Sequence, residues 1–481
     1  MSVCKRVLAR LDIKGSKLIK GVRFEGVRVI GNAYEVAKKY ANLGVDEIFY
    51  SDAVASLYGR NSLYDLLKQT CKDVFVPITA GGAINSIEDG RKLLASGADK
   101  LAINTGAVRN PNLINDLANE FGTQCVVVSI QARKSYNSNS WELMIEGGRE
   151  KCDKNLISWI EEVQARGAGE IILTSVDNDG IGEGTDHDLI RKVQPSTKIP
   201  LVIGGGIGSE EEITKIFNTH KSLSGISIGW SFHNDHLNIN KVHKAIQESK
   251  CETRLLENTS KILNITEAKV IIVDYSMGNL ESLSNGLKKI GIDAIISSEK
   301  SKIMDADLVF LPGVGSFHKG MRNLNSRKLI NPLLRRANEG KAIIGICLGM
   351  QLLFQEGEEY QPCKGLGIIK GKIKKLSNKS YNNEKLVLPH VGWNKLYIDK
   401  KYENSNLRLF DKSYQYFVHS YAYQPEKTDS ENTLFKSTYG GKDFISAVKY
   451  KSCIGLQFHP ERSGYEGLNL LNELIKSLIR I

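Results

Sequence analysis

Two stretches of this chain, 123 positions apart, carry the same pattern. Gly44-Val45-Asp46-Glu47-Ile48-Phe49 is echoed by Gly167-Ala168-Gly169-Glu170-Ile171-Ile172. Gly81-Gly82-Ala83-Ile84-Asn85-Ser86 is echoed at the same spacing by Gly204-Gly205-Gly206-Ile207-Gly208-Ser209. Leu11-Asp12-Ile13-Lys14 resembles Ile130-Gln131-Ala132-Arg133 at an offset of 119. Between these landmarks, short apolar runs alternate with amphipathic stretches, the pattern of a parallel α/β fold. The expected strands are Val7–Ile13, Glu47–Ser51, Val76–Thr79, Lys100–Ile103, Cys125–Ile130, Glu170–Thr174, Leu201–Ile203 and Gly225–Ile228. Four per half makes eight, the count that closes a (β/α)8 barrel. Two similar halves closing one barrel place corresponding loops on opposite sides of a single mouth.

At 481 residues the chain exceeds one ordinary domain. Residues Cys251–Glu267 are polar and poorly periodic and read as a linker. The organisation expected is a barrel over 1–251, a linker over 252–267 and a second domain over 268–481. A linker of ~15 residues spans at most roughly 50 Å, enough for the two domains to dock within one chain. The second domain opens on Lys269–Asp274 and continues through strands at Leu308–Leu311, Ala342–Ile346, Gln415–Val418, Ser446–Lys449 and Gly455–Phe458, a mixed sheet flanked by helices. No run approaches ~18 apolar residues, and the start lacks a secretory pattern, so neither a membrane span nor export is expected. The eight cysteines are scattered without a Cys-x-x-Cys, which implies no zinc site, no disulfide framework and a cytoplasmic location. The net charge of +11 is spread among interleaved acids, against a nucleic-acid partner.

Within the second domain, Gly345-Ile346-Cys347-Leu348-Gly349 sits between a strand-like run and a helix start at Met350–Phe354. His459-Pro460-Glu461 follows 112 residues after the cysteine. A strand–Cys–helix elbow exposes the sulfur at a sheet end and aims a helix N-terminus at it. A thiol needs a base to take its proton, and the base needs an orienter. Leu311-Pro312-Gly313-Val314-Gly315 supplies glycines where backbone N–H groups could meet an oxyanion. In the barrel, glycine-rich strand ends recur at Gly81-Gly82, Asp179-Gly180 and Gly204-Gly205-Gly206, with Asn104-Thr105 closing another strand. Such βα loops line the catalytic face of a barrel and bind phosphate. Two equivalent clusters suit a substrate with an anionic group at each end.

The second domain resembles the class I (triad) glutamine amidotransferases, in particular the glutaminase subunit of imidazole glycerol phosphate synthases. The carriers are Asp274-Tyr-Ser-Met-Gly278-Asn279, Pro312-Gly-Val-Gly315, Gly345-Ile-Cys347-Leu-Gly-Met-Gln351, Pro389-His-Val-Gly-Trp393-Asn394, Phe417-Val-His-Ser-Tyr421 and Gln457-Phe-His459-Pro-Glu461. The resemblance implies a flavodoxin-like mixed sheet, Cys347 as nucleophile, His459 as proton shuttle and Glu461 as its orienter. It implies oxyanion donors at Gly313, Val314, Gly315 and Leu348, and a glutamine-holding role for Gln351.

Residues 4–250 resemble the cyclase subunit of the same synthases, through Leu11-Asp12-Ile-Lys-Gly, Leu18-Ile-Lys20-Gly21, Gly97-Ala-Asp99-Lys100-Leu-Ala-Ile-Asn104-Thr105 and Gly167–Gly180. This implies a TIM barrel that uses ammonia on a phosphorylated ribonucleotide-type substrate, with no cofactor and no metal. Ammonia enters through a gate at Arg6, Glu47, Lys100 and Glu170. Lys20, Gly82, Asn104, Thr105, Thr174, Asp179, Gly180, Gly205 and Gly206 fall at substrate- and phosphate-binding positions. Of the family's two acid–base aspartates, the first is Asp12; the second position holds Gln131, an amide that neither gives nor takes a proton near pH 7. Trp230 stands where the family places a small phosphate-binding serine, and the loop Arg23–Ile30 departs from the cyclase pattern. These departures resemble a paralogous group of cyclase-like barrels tied to amidination of surface-polysaccharide sugars, in which ammonia goes to a separate sugar amidotransferase.

Overall fold

A computed structural model describes residues 4–53, 63–82, 84–136, 140–254, 268–359, 361–424 and 431–479. The chain forms two compact units that divide between Arg254 and Ala268 among the described residues. Residues 255–267, most of the expected linker, lie outside the described residues.

The first unit is a closed barrel of eight parallel strands in chain order: Arg6–Lys14, Glu47–Asp52, Ile78–Gly81, Lys100–Ile103, Val126–Lys134, Glu170–Ser175, Leu201–Gly204 and Gly225–Ile228. The last strand pairs back on the first, Arg6 opposite Gly225 and Leu8 opposite Ser227. The third strand begins two residues later than expected, because Val76 and Pro77 precede it. The repeat extends to the helix caps. Asn32 caps Ala33–Asn42 and Asn155 caps Leu156–Ala165, each accepting two backbone N–H bonds. Ser86 caps Ile87–Ala95 and Ser209 caps Glu210–Thr219 by the same single bond. Both cap pairs keep the 123-residue offset. Side-chain oxygens satisfy helix N-termini whose own turns leave N–H groups unpaired, so the cap positions fix where each helix starts.

An antiparallel hairpin follows the first strand of each half: Lys17–Val22 with Glu25–Asn32, and Trp141–Ile145 with Glu150–Asn155. The segment read from sequence as the loop Arg23–Ile30 is thus largely the second arm of a hairpin. That arm is exposed almost throughout, so no alternation of apolar and polar residues marks it.

Side chains alternate across a strand, so every second residue of a barrel strand faces the axis. The first strand places Arg6, Leu8, Arg10 and Asp12 in successive layers. Leu8, Phe49, Ala102, Val127, Ile172 and Val202 form one apolar layer. Four of these lie two residues beyond Arg6, Glu47, Lys100 and Glu170, each the first residue of its strand.

Beyond the last barrel helix, Thr253 and Arg254 are buried, although the sequence reads them as linker. Arg254 donates to Asp46 Oδ1 at 3.0 Å and to the carbonyls of Gly44 and Val45. The chain therefore leaves the barrel beside Glu47, at the strands' N-terminal end.

The second unit is built on a mixed sheet. Ile295–Ser297, Val270–Val273, Leu308–Leu311, Ala342–Ile346 and Cys453–Leu456 lie parallel in that order. From Cys453–Leu456 the sheet continues antiparallel through Lys442–Tyr450 and Tyr421–Tyr423 to Ile369–Lys375. Tyr414–His419, expected to lead back into this sheet, pairs instead with His390–Lys395 in a separate two-stranded sheet. No helix among the described residues is long and apolar enough to cross a membrane.

Candidate active sites

The two central parallel strands of the second unit end side by side. Ile346 pairs with Leu456, so the residues that follow, Cys347 and Gln457, are neighbours. The Cys347 N–H donates to Leu456 O at 2.6 Å. Cys347 has φ 51° and ψ −107°, a left-handed backbone that a side chain rarely adopts and that costs about 1–3 kcal/mol. The elbow turns the sulfur out of the sheet. Its helix is shorter than the sequence suggests: Leu348–Leu352 is one turn, and Phe354 already opens a strand.

His459 follows from the adjacent strand, its backbone pinned by Tyr416 O and by the Ser463 hydroxyl. Its Nδ1 meets Glu461 Oε1 at 2.8 Å. Burial opposes charge on the ring, but Glu461 and Cys347 together hold its pKa well above the ordinary histidine value. The other nitrogen, Nε2, is buried and, among the described residues, has Cys347 as the group that acts on it. Nucleophile, base and orienter thus stand in the order that moves a proton from sulfur to a leaving amine.

One of the expected oxyanion donors is already engaged. The Leu348 N–H donates to Gly313 O at 3.2 Å, so it is occupied in this conformation. Gln351 is also occupied. It is buried, and its Nε2 donates to Tyr421 O at 2.9 Å and to Gln457 Oε1 at 3.2 Å. Its amide is turned to these neighbours rather than held out for a glutamine.

In the barrel, the four expected gate residues form a closed ring of alternating charge. Arg6 bonds Glu47 at 3.0 Å and also Glu170, and Lys100 bonds both carboxylates at 2.7 Å. Their side chains are at most 1% exposed. Burial would raise the Glu170 carboxyl, but Arg6 and Lys100 lower it well below the usual carboxylate range.

Above the apolar layer lies the mouth. Arg10 Nε donates to Asp12 Oδ1 at 2.9 Å, and Lys20 Nζ bonds Asp12 Oδ2 at 3.0 Å and Asp179 Oδ2 at 2.8 Å. Against burial, these two cations hold Asp12 far below the usual carboxylate range. Lys20, expected to bind phosphate, spends two of its three N–H groups here. Arg10 also donates to Thr174 Oγ1 at 3.1 Å. Arg10 was not anticipated, although its place two residues before Asp12 on one strand face was legible. Gln131 is buried, and its Oε1 has no hydrogen-bond partner among the described residues.

One cavity in the mouth gathers Asp12, Gly82, Asn104, Thr105 and Gln131, with Arg10 and Arg109. Gly180, Gly205 and Gly206 do not reach it. They serve close backbone packing: a Cβ on Gly206 would collide with the Gly184 carbonyl, and one on Gly180 with Gly21 O. A Cβ on Gly182 would collide with the Trp230 ring, which stacks on His236 at 4.7 Å.

Comparison with known proteins covers both units. The family described as "Histidine biosynthesis protein" matches residues 6–238, and "Glutamine amidotransferase class-I" matches residues 238–476. A protein of Legionella pneumophila named imidazole glycerol phosphate synthase subunit HisF is 50% identical over 207 residues, 97% of its length and 43% of this chain. The chain belongs to the histidine-biosynthesis barrel family. Subunits of the same name from Dictyoglomus turgidum and Helicobacter hepaticus are 40% and 39% identical, over 99% and 100% of their lengths and 53% of this chain. The remainder of the chain is a class I amidotransferase domain fused to the family barrel. Within that fusion, the thiol site places all three expected residues together. The family barrel holds Asp12 and Gln131 in one cavity and leaves the second half's glycines outside it. Gln457, beside the nucleophile, had one signal in the sequence: it precedes His459 by two residues.

Proposed function

We propose that the second domain hydrolyses glutamine to glutamate and ammonia, and that the barrel accepts the ammonia through its charged ring. The observation that carries the first part is the strained Cys347 elbow beside a His459–Glu461 pair. Cys347 gives its proton to His459 Nε2 as sulfur attacks the side-chain amide carbon. The C–N bond breaks as His459 returns the proton to the departing nitrogen. Water then cleaves the thioester to release glutamate and the thiol. Purified protein given glutamine releases glutamate and ammonia. Full activity in Cys347→Ala would sink the assignment.

The barrel reading follows from the layers. A neutral molecule of ammonia's size passes from the ring of Arg6, Glu47, Lys100 and Glu170 along the apolar layer to the mouth. Ring closure on a phosphorylated ribonucleotide needs two groups that exchange protons. Asp12 is clamped between two cations, and Gln131 is an amide. Trp230 takes the place of a phosphate donor in the second half. These support a barrel that hands ammonia to a separate acceptor, such as an amidotransferase for surface-polysaccharide sugars. A second reading, ring closure as in imidazole glycerol phosphate synthase, draws on Asp12, the complete charged ring and the 50% identity to a subunit of that name. Ammonium salt and the phosphoribulosyl formimino nucleotide distinguish them: the first reading expects no imidazole product from the wild type. Product formation by wild type decides for the second.

A further inference from the structure

We infer that Gln457 is a positioning and charge-stabilising residue for the Cys347 thiolate, oriented by Gln351. Gln457 is wholly buried, directly after the strand that neighbours the nucleophile's, and its backbone N–H is fixed on Ser446 O at 2.8 Å. Its side-chain Nε2 lies 3.8 Å from Cys347 Sγ, within range of a hydrogen bond to sulfur.

The direction of this bond follows from a chain of obligations. The Tyr421 carbonyl can only accept, so Gln351 must present its NH2 there. The same NH2 faces Gln457 Oε1 at 3.2 Å, which fixes the oxygen of Gln457 on the Gln351 side. The Gln457 NH2 is thereby aimed at the sulfur. Flipping the Gln457 amide would set its NH2 against the Gln351 NH2 and its oxygen against the sulfur, so it is held donor-first. The helix after Cys347 is a single turn, so its partial charge contributes little, and a side-chain donor makes up part of the stabilisation. A donor to a charged acceptor is stronger than one between neutral groups.

The inference deepens the glutaminase reading and rests on it, but its test does not use glutamine. The probe is iodoacetamide, with alkylation of the Cys347 peptide followed by mass spectrometry from pH 5 to 9. Cys453, buried in the adjacent strand, serves as the internal reporter of folding. In Gln457→Leu we expect alkylation at pH 7 to slow about tenfold, with the half-maximum moved to higher pH. Gln457→Glu, an acceptor and an anion, slows it further. Gln351→Leu, which keeps the Gln457 donor but removes the amide that orients it and that also meets the Tyr421 carbonyl, slows it about threefold. If Cys453 becomes reactive in a Gln457 variant, the Gln351→Leu result decides. Rates and pH dependence equal to wild type in folded Gln457→Leu overturn the inference, as does an unchanged Gln351→Leu when that variant decides. Failure of the glutaminase reading shows differently: wild type then releases no ammonia from glutamine, whatever the alkylation rates.

Discussion

The two chemical sites of this chain hold their titratable groups in opposite conditions. At the thiol site, His459 is bonded to Glu461 through Nδ1 and has its nucleophile alongside. At the barrel mouth, Asp12 is saturated by Arg10 and Lys20, and the position that should answer it is Gln131. The first arrangement leaves a proton somewhere to go. The second holds charge still. A third arrangement, the ring at the barrel floor, resembles the mouth: four buried charges, each neutralised by its neighbours. Buried charge is therefore used in two ways among the described residues, and the thiol site is the one that sets a base beside a nucleophile.

The largest expected effect breaks the active side of the comparison. Cys347→Ala lowers glutamine hydrolysis by on the order of 10⁴-fold or more, measured as glutamate formed, while the barrel's circular dichroism and melting stay unchanged. Residual activity within tenfold of wild type contradicts the triad.

A smaller effect tests the static side. Glu170→Gln leaves Arg6 and Lys100 sharing one carboxylate in a dry layer. Breaking a buried pair in this way costs about 3–5 kcal/mol, read as a lower urea midpoint for the barrel. A midpoint equal to wild type would mean that the ring is hydrated or dispensable.

The smallest effect sharpens the contrast within the thiol domain. Burial pushes the His419 imidazole down to about 4, whereas His459 is raised. A histidine held neutral in the folded state contributes stability above its unfolded pKa of ~6.5 and loses it as pH falls toward 4. His459 has the opposite sign, contributing below ~6.5 and losing that contribution as pH rises through its raised folded value. For His419 the loss is about 1.4 kcal/mol per pH unit between ~6.5 and 4. Urea melts of wild type and His419→Gln between pH 7 and 4.5 check it: the variant's slope with pH is shallower. Parallel slopes would remove His419 as the cause.

Much of this was legible in the sequence where side-chain type and spacing carry the information. The apolar runs, with the repeat supporting their count, located all eight barrel strands, and the Cys347 elbow with His459 and Glu461 located the thiol site. What escaped depends on partners far away in the chain. Arg254 reads as linker because charge suggests solvent; its burial rests on the carbonyls of Gly44 and Val45 and on Asp46. Lys20 and Gln351 were expected to face ligands, but the acceptors they meet, Asp12, Asp179, Tyr421 and Gln457, come together only in the folded chain. The occupied Leu348 N–H is a matter of one peptide's orientation, which no residue type encodes.

We propose that this chain makes ammonia at Cys347 and does not consume it by ring closure at Asp12 and Gln131. Amide-¹⁵N glutamine supplied together with the phosphoribulosyl formimino nucleotide tests it most directly, with ¹⁵N followed by NMR. The expected result is free ¹⁵N-ammonium with unchanged nucleotide; ¹⁵N inside an imidazole ring would contradict it.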